Sequence, residues 1–167
     1  MAAAVRIRLS TAGRSGSNEW KIKRSTGIPG ENAKGVIDEN ELATKLARDP
    51  RFRLKGETLV IGGSNKAFEA ALRAVRCRSE KVTLVCPEQS NEMRADANLV
   101  EEAERNGIRV IHGWGPLRID VHTDGLVSGA FFKRCTRAFD DENQFSPTYD
   151  ESNVMGQYCD NLVLAID

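Results

Sequence analysis

The chain has 167 residues, 40% of them apolar, with 24 basic and 24 acidic side chains and a formal net charge of zero. That length suits one compact domain with its own core, and the charge balance argues against a nucleic-acid partner, since Lys21, Lys23 and Arg24 form too small and local a basic cluster. No apolar run is long enough to cross a bilayer and nothing marks the chain for export, so a soluble, cytoplasmic protein without a membrane partner is expected.

In chain order, residues 15–19 (SGSNE) and 26–35 are rich in glycine and polar residues and read as a surface linker, with the Ile28-Pro29-Gly30 turn anchoring the entrance to the domain. Residues 38–49 predict a short amphipathic helix with Leu42, Leu46 and Ala47 inward.

The most informative stretch is 56–75, GETLVIGGSNKAFEAALRAV. Thr58, Leu59, Val60 and Ile61 suit a strand buried on both faces of a parallel sheet. The period then changes. Ala67, Ala70, Ala71, Ala74 and Val75 recur at helical spacing opposite Lys66, Glu69, Arg73 and Arg76, which gives a small-residue face able to lie close against the sheet. The glycine turn between strand and helix aims the first helical N–H groups outward and makes a site for a pyrophosphate. In the GxGxxG/A pattern Gly62 makes the tight turn and Ala67 permits close packing, but Ser64 stands where the second glycine belongs. Its hydroxyl either donates to a phosphate or caps the helix, and its Cβ narrows the approach. One fingerprint serves equally a dinucleotide site and a plain strand-to-helix turn.

Residues 81–86 (KVTLVC) predict the next strand, 96–106 a helix with Leu99, Val100 and Ala103 on one face and Gly107 as its stop, and 108–111 a third strand. This βαβαβ order places a ligand beyond the carboxyl ends of the strands, near 62–65 and 86–90. At the tip of the second strand Glu88 is either a ribose acceptor or a solvated loop acid; in both cases it opposes a 2′-phosphate and favours NADH over NADPH. Residues 116–134 read as an antiparallel hairpin turning at Asp124-Gly125. Residues 135–157, with Asp140, Asp141, Glu142, Asp150 and Glu151, read as a solvent-exposed excursion rather than a carboxylate pair for acid–base work, because nothing apolar frames either acid. Residues 162–167 (LVLAID) close the domain as a strand.

Cys77, Cys86, Cys135 and Cys159 are widely spaced and read as buried reduced thiols, not cluster ligands. His112 and His122 lack partners at ligand spacing, and the lone Trp20 and Trp114 read as packing residues.

The runs TGIPGENAKGV at 26–36, LVIGGSNKAFEAALRA, KVTLVCPEQSNEMRADANLVEEAERNGI and CDNLVLAI resemble, in order and spacing, the pyridine-nucleotide domain of the glutamate synthase small-subunit-like oxidoreductases, over nearly the whole chain. The resemblance implies an α/β, Rossmann-like three-layer domain with a parallel core and a small antiparallel β-meander. It also implies that NAD(P)H is positioned for hydride exchange with FAD held by another domain of the same parent protein, and that an iron–sulfur or electron-transfer subunit is a partner. It divides the chain into 1–36, resembling the edge of the missing FAD domain, and 37–167, the NAD(P)-binding-like domain. Gly62, Gly63, Ser64, Asn65, Lys66, Ala67 and Glu88 are the cofactor-binding positions, and no catalytic or metal residue is expected.

Two departures bear on the ligand: the family reads GGGNxA where this chain has GGSNKA, and it has an arginine pair where Pro87 and Glu88 stand. NAD(H) is therefore expected ahead of NADP(H). Thioredoxin reductases are similar too, down to an RAD like Arg94 to Asp96, but their redox CxxC is absent from this sequence. The competing reading is a module that has lost the cofactor and serves as a scaffold or docking surface for flavin or electron-transfer partners.

Overall fold

The computed structural model describes residues 25–166. Residues 1–24 of the expected FAD-domain edge, with the 15–19 linker and Trp20, lie outside the described residues. A five-stranded parallel sheet is built from β1 (Val36–Asp38), β2 (Glu57–Ile61), β3 (Lys81–Cys86), β4 (Arg109–His112) and β8 (Asn161–Leu164), in the order β1-β8-β2-β3-β4. The helices α1 (Glu39–Arg48), α2 (Asn65–Arg76) and α3 (Ala97–Arg105) follow β1, β2 and β3. A second sheet, β5 (Trp114–Val121), β6 (Val127–Phe139) and β7 (Phe145–Tyr158), is an antiparallel meander inserted between β4 and β8.

Alternation along the strands sorts the two cores. Val60, Val82, Leu84, Cys86 and Val163 meet the helices through Phe68, Ala70, Ala71, Ala74 and Ala103. Leu59, Ile61, Val85, Leu162 and Leu164 meet Ile119, Val127, Ala130 and Phe132 of the meander. The parallel sheet is thus covered on both faces, the condition under which continuous apolar strands are stable. The result is the expected α/β class with three layers: helices, parallel sheet and antiparallel sheet.

Local chemistry accounts for most boundaries. Asp38 caps α1 by accepting from the Glu41 N–H at 2.7 Å. Leu42 is fully buried and Leu46 packs against the core, but Ala47 is exposed, contrary to the inward position expected for it. The turn at 28–30 does anchor the domain entrance: Pro29 O accepts from the Ile119 N–H at 2.7 Å, and Ile28 is buried in the meander core.

The region 135–157 corrects the sequence reading. It is largely exposed, with Cys135 and Ala138 buried, but it is strand: β6 runs on to Phe139 and returns as β7, whose residues stay largely exposed at the edge of the sheet. The tight return is set by Asp140, whose Oδ1 accepts from the N–H groups of Glu142 and Gln144, and by Asn143 at φ +62°. An edge strand packed on one side only needs little apolar alternation, and register shifts at three places along β6 and β7 break what pattern there is.

Candidate functional site

The site lies where β2 passes into α2. Gly62 has φ +148°, and a Cβ there would overlap the Ala165 carbonyl oxygen, so the chain turns sharply beneath the end of β8. The turn is pinned from both sides, since Gly62 N–H donates to Val85 O at 3.1 Å and Ala165 N–H donates to Ile61 O at 2.9 Å. Ala67 is fully buried, as its packing role requires.

Ser64 is the N-cap of α2 with an extended backbone (φ −83°, ψ 173°), a conformation open to any residue, and its side chain makes no capping hydrogen bond. Its Oγ is buried without a partner among the described residues. The capping alternative therefore loses, and the hydroxyl is left without a hydrogen-bond partner. The N–H groups that open α2 have no intrahelical acceptor by construction; the next bonds run from Ala67 and Phe68 back to Ser64 O. No residue of α2's own first turn is acidic, so an acid that meets the positive end of the helix dipole comes from another element.

Glu88 arrives from the loop after β3. Its carboxylate folds back onto Gly63, so that a Cβ on Gly63 would overlap Glu88 Oε2, and that oxygen is buried with no donor. Burial pushes the Glu88 carboxyl above its usual range. Two orphaned polar atoms, Ser64 Oγ and Glu88 Oε2, thus flank Gly63 at the start of α2.

Asn65 and Lys66 are turned to structural tasks. Asn65 exchanges hydrogen bonds with Asp96, the N-cap of α3: Asn65 Nδ2 donates to Asp96 Oδ2 at 3.2 Å and Asp96 N–H donates to Asn65 Oδ1 at 2.8 Å. Lys66 Nζ lies 3.9 Å from Glu39 Oε1 at the start of α1. The structure therefore brings Gly62, Gly63, Ser64 and Glu88 together, and gives Asn65, Lys66 and Ala67 the work of fixing the helices around them.

Sequence reasoning missed what holds the Glu88 loop. Gln89 Nε2 donates to Cys135 O at 3.2 Å, and Glu92 Oε2 accepts from the Ala138 N–H at 3.1 Å. Glu92 also closes a capping box on Gln89. Arg94 stacks on the Phe139 ring, 3.7 Å from its centroid, and binds Asn143 O and Oδ1. The Gln-x-x-Glu spacing of 89–92 was the one legible sign of this arrangement; the partners on β6 come from the fold.

Cys77, Cys86, Cys135 and Cys159 are all buried and free. Cys86 Sγ lies 3.7 Å from His112 Nδ1 and burial pushes its thiol up, so the neighbour does not produce a thiolate. Among the described residues no three metal-ligating side chains gather, and no helix is long and apolar enough to cross a membrane.

No family model matches the chain, and no curated protein matches it. Solved structures do. The thioredoxin reductase of Lactococcus lactis in its FR conformation matches with a TM-score of 0.61 at 21% identity, over 86% of this chain and 41% of its own. That of Streptococcus pyogenes gives 0.61 at 22%, over 86% and 40%. Mycobacterium tuberculosis FprA in complex with NADPH gives 0.63 at 12%, over 85% and 47%. The likeness is one of fold: this chain has an α/β architecture found in these oxidoreductases, and it spans less than half of their length.

Proposed function

We propose that the chain is the nicotinamide-dinucleotide-binding domain of a flavin-dependent oxidoreductase of the glutamate synthase small-subunit-like kind. The observation that carries this reading is a pair of buried, unpartnered polar atoms at the opening of α2, Ser64 Oγ on the residue after Gly63 and Glu88 Oε2 against Gly63 itself. A dinucleotide offers what each lacks. Its diphosphate accepts from Ser64 and from the first N–H groups of α2, and its ribose hydroxyls donate to Glu88. The residues present therefore fit the group.

The bound dinucleotide supplies hydride chemistry; the chain supplies position and charge. Gly62 lets the backbone turn beneath Ala165 O, and Ala67 seats α2 on the sheet. Glu88 selects NAD(H) over NADP(H), because a 2′-phosphate would meet a carboxylate where an arginine is required, and Arg94 is held against Phe139 and Asn143. The acceptor FAD belongs to another domain of the parent protein, with an iron–sulfur or other electron-transfer partner beyond it, in a cytoplasmic setting. Residues 1–36 are assigned to the edge of that FAD domain and 37–167 to the nucleotide domain, with Ile28 and Val36 of the first segment packed into the meander-side core of the second.

One observation favours a second reading, a scaffold that no longer takes the cofactor: the Glu88 carboxylate occupies the space over Gly63 that an incoming group needs. Calorimetric titration with NADH and NADPH separates the two. Saturable NADH binding with weaker NADPH binding supports the first; silence with both, in a folded chain, supports the second. Pro87→Arg with Glu88→Arg is expected to improve NADPH binding, and no change would mean that the loop does not reach the ribose.

A further inference from the structure

Resting on the dinucleotide reading above, we propose that filling the turn at Gly62 and Gly63 is coupled to the release of one proton from Glu88, which then accepts hydrogen bonds from the vicinal hydroxyls of the nucleotide's ribose. The geometry that leads there is the seat of the side chain. Glu88 Oε2 is buried against Gly63 with no donor within the described residues. A carboxyl with one oxygen in that condition has lost water there without gaining a donor, and it holds its proton more tightly than an exposed one.

The groups around it agree on the direction. Burial pushes the Glu88 carboxyl up and the negative charge of Glu92, in the 3-10 turn that follows, adds to this; its own backbone N–H, His112 at the end of β4 and Arg94 pull the other way without cancelling burial. The remaining titratable neighbours stay protonated through the neutral range. Burial raises the thiols of Cys86 on β3 and Cys135 on β6, and it brings the phenol of Tyr149 on β7 to about 12. Glu88 is therefore the group facing Gly63 that holds its proton to a higher pH than an exposed carboxyl does.

When a ribose diol approaches, two O–H donors become available to a carboxyl whose Oε2 had none. Hydrogen bonding to the charged form favours it, so the carboxyl O–H bond breaks and the proton passes to buffer, leaving a carboxylate that accepts from both hydroxyls. The diphosphate works against this step, but its charge faces the N–H groups at the start of α2 and the Ser64 hydroxyl. By linkage, affinity for NADH rises with pH below the point where free Glu88 ionises, at about tenfold per pH unit, and flattens above it.

The test is calorimetric titration of the full 167-residue chain with NADH from about pH 5 to about pH 8, in buffers of differing ionisation enthalpy. The expected result is net release of close to one proton at the acid end. In Glu88→Gln, whose amide oxygen still accepts from a hydroxyl, binding remains, but the slope and the proton release vanish. Saturable binding with a flat profile, with proton uptake, or with the same slope in wild type and Glu88→Gln overturns the coupling and leaves the dinucleotide site standing. A folded chain that takes up no NADH at any pH overturns both.

Discussion

Asn65 and Asp96 hold the starts of α2 and α3 together through a reciprocal pair of hydrogen bonds, 3.2 and 2.8 Å long. The pair couples the start of α2 to the end of the loop that carries Glu88. Asn65→Ala is expected to cost about 0.5–1.5 kcal/mol, since the bonds are exposed. That lowers Tm by about 1–6 °C in a domain of this size. Thermal unfolding of the variant checks it, and an unchanged Tm would mean that the bridge contributes nothing in solution.

Gly62 and Gly107 both have positive φ, +148° and +78°, but only Gly62 is walled in. A Cβ on Gly62 overlaps the Ala165 carbonyl, which is backbone and cannot yield, whereas a Cβ on Gly107 meets nothing within 4 Å. Gly62→Ala is expected to destabilise by about 2–4 kcal/mol, and Gly107→Ala by about 1 kcal/mol. Equal losses in chemical denaturation would contradict the close approach of β8 to the turn.

Ser64 makes no capping bond, so Ser64→Ala should leave the stability of the free chain within about 0.5 kcal/mol of wild type, less than the loss of about 1 kcal/mol usual when an N-cap side chain is removed. The same variant is expected to weaken NADH binding several-fold. A full cap-sized loss of stability, measured by denaturant unfolding, would reassign the hydroxyl to the helix.

Glu88 also leaves a mark on stability. Its carboxyl is raised in the folded chain, so the contribution it makes is fully present below the unfolded-state value and is lost as pH rises through the folded-state one. Glu88→Gln escapes that loss. The variant should melt about 1–3 °C above wild type near neutral pH, a small margin because the group is partly solvated. The margin should close as the solution becomes acidic. A margin that widens on acidification would reverse the sign of the argument.

The parts legible from sequence were those where one local rule acts alone. The period change at Gly62, the apolar runs at 58–61 and 81–86, and the Asp124-Gly125 turn all appear where the pattern puts them. β1 was missed because its three residues sit between a glycine-rich linker and the Asp38 cap, too short to show a period. β7 was missed because an edge strand facing solvent has no apolar stripe to display. In the candidate site, Gly62, Ser64 and Glu88 were singled out from the strand–turn–helix pattern and Gly63 from the family resemblance. The tasks of Asn65, Glu92 and Arg94 were not, since their partners Asp96, Ala138, Phe139 and Asn143 are brought to them by the fold.

Cys77, Cys86, Cys135 and Cys159 are all buried, and burial raises each thiol. Alkylation at neutral pH should therefore be slow in the native chain and complete for all four in denaturant. Rapid modification of any one of them in the native state would show that its cover opens.

The claim on which the rest turns is that the amide groups opening α2 receive a dinucleotide. The most direct measurement is a titration of the isotopically labelled chain with NADH followed through its backbone amide resonances. Saturable shifts that are largest at Gly63, Ser64 and Asn65 are predicted. Resonances that stay fixed at those three residues while NADH is added in excess would contradict the account.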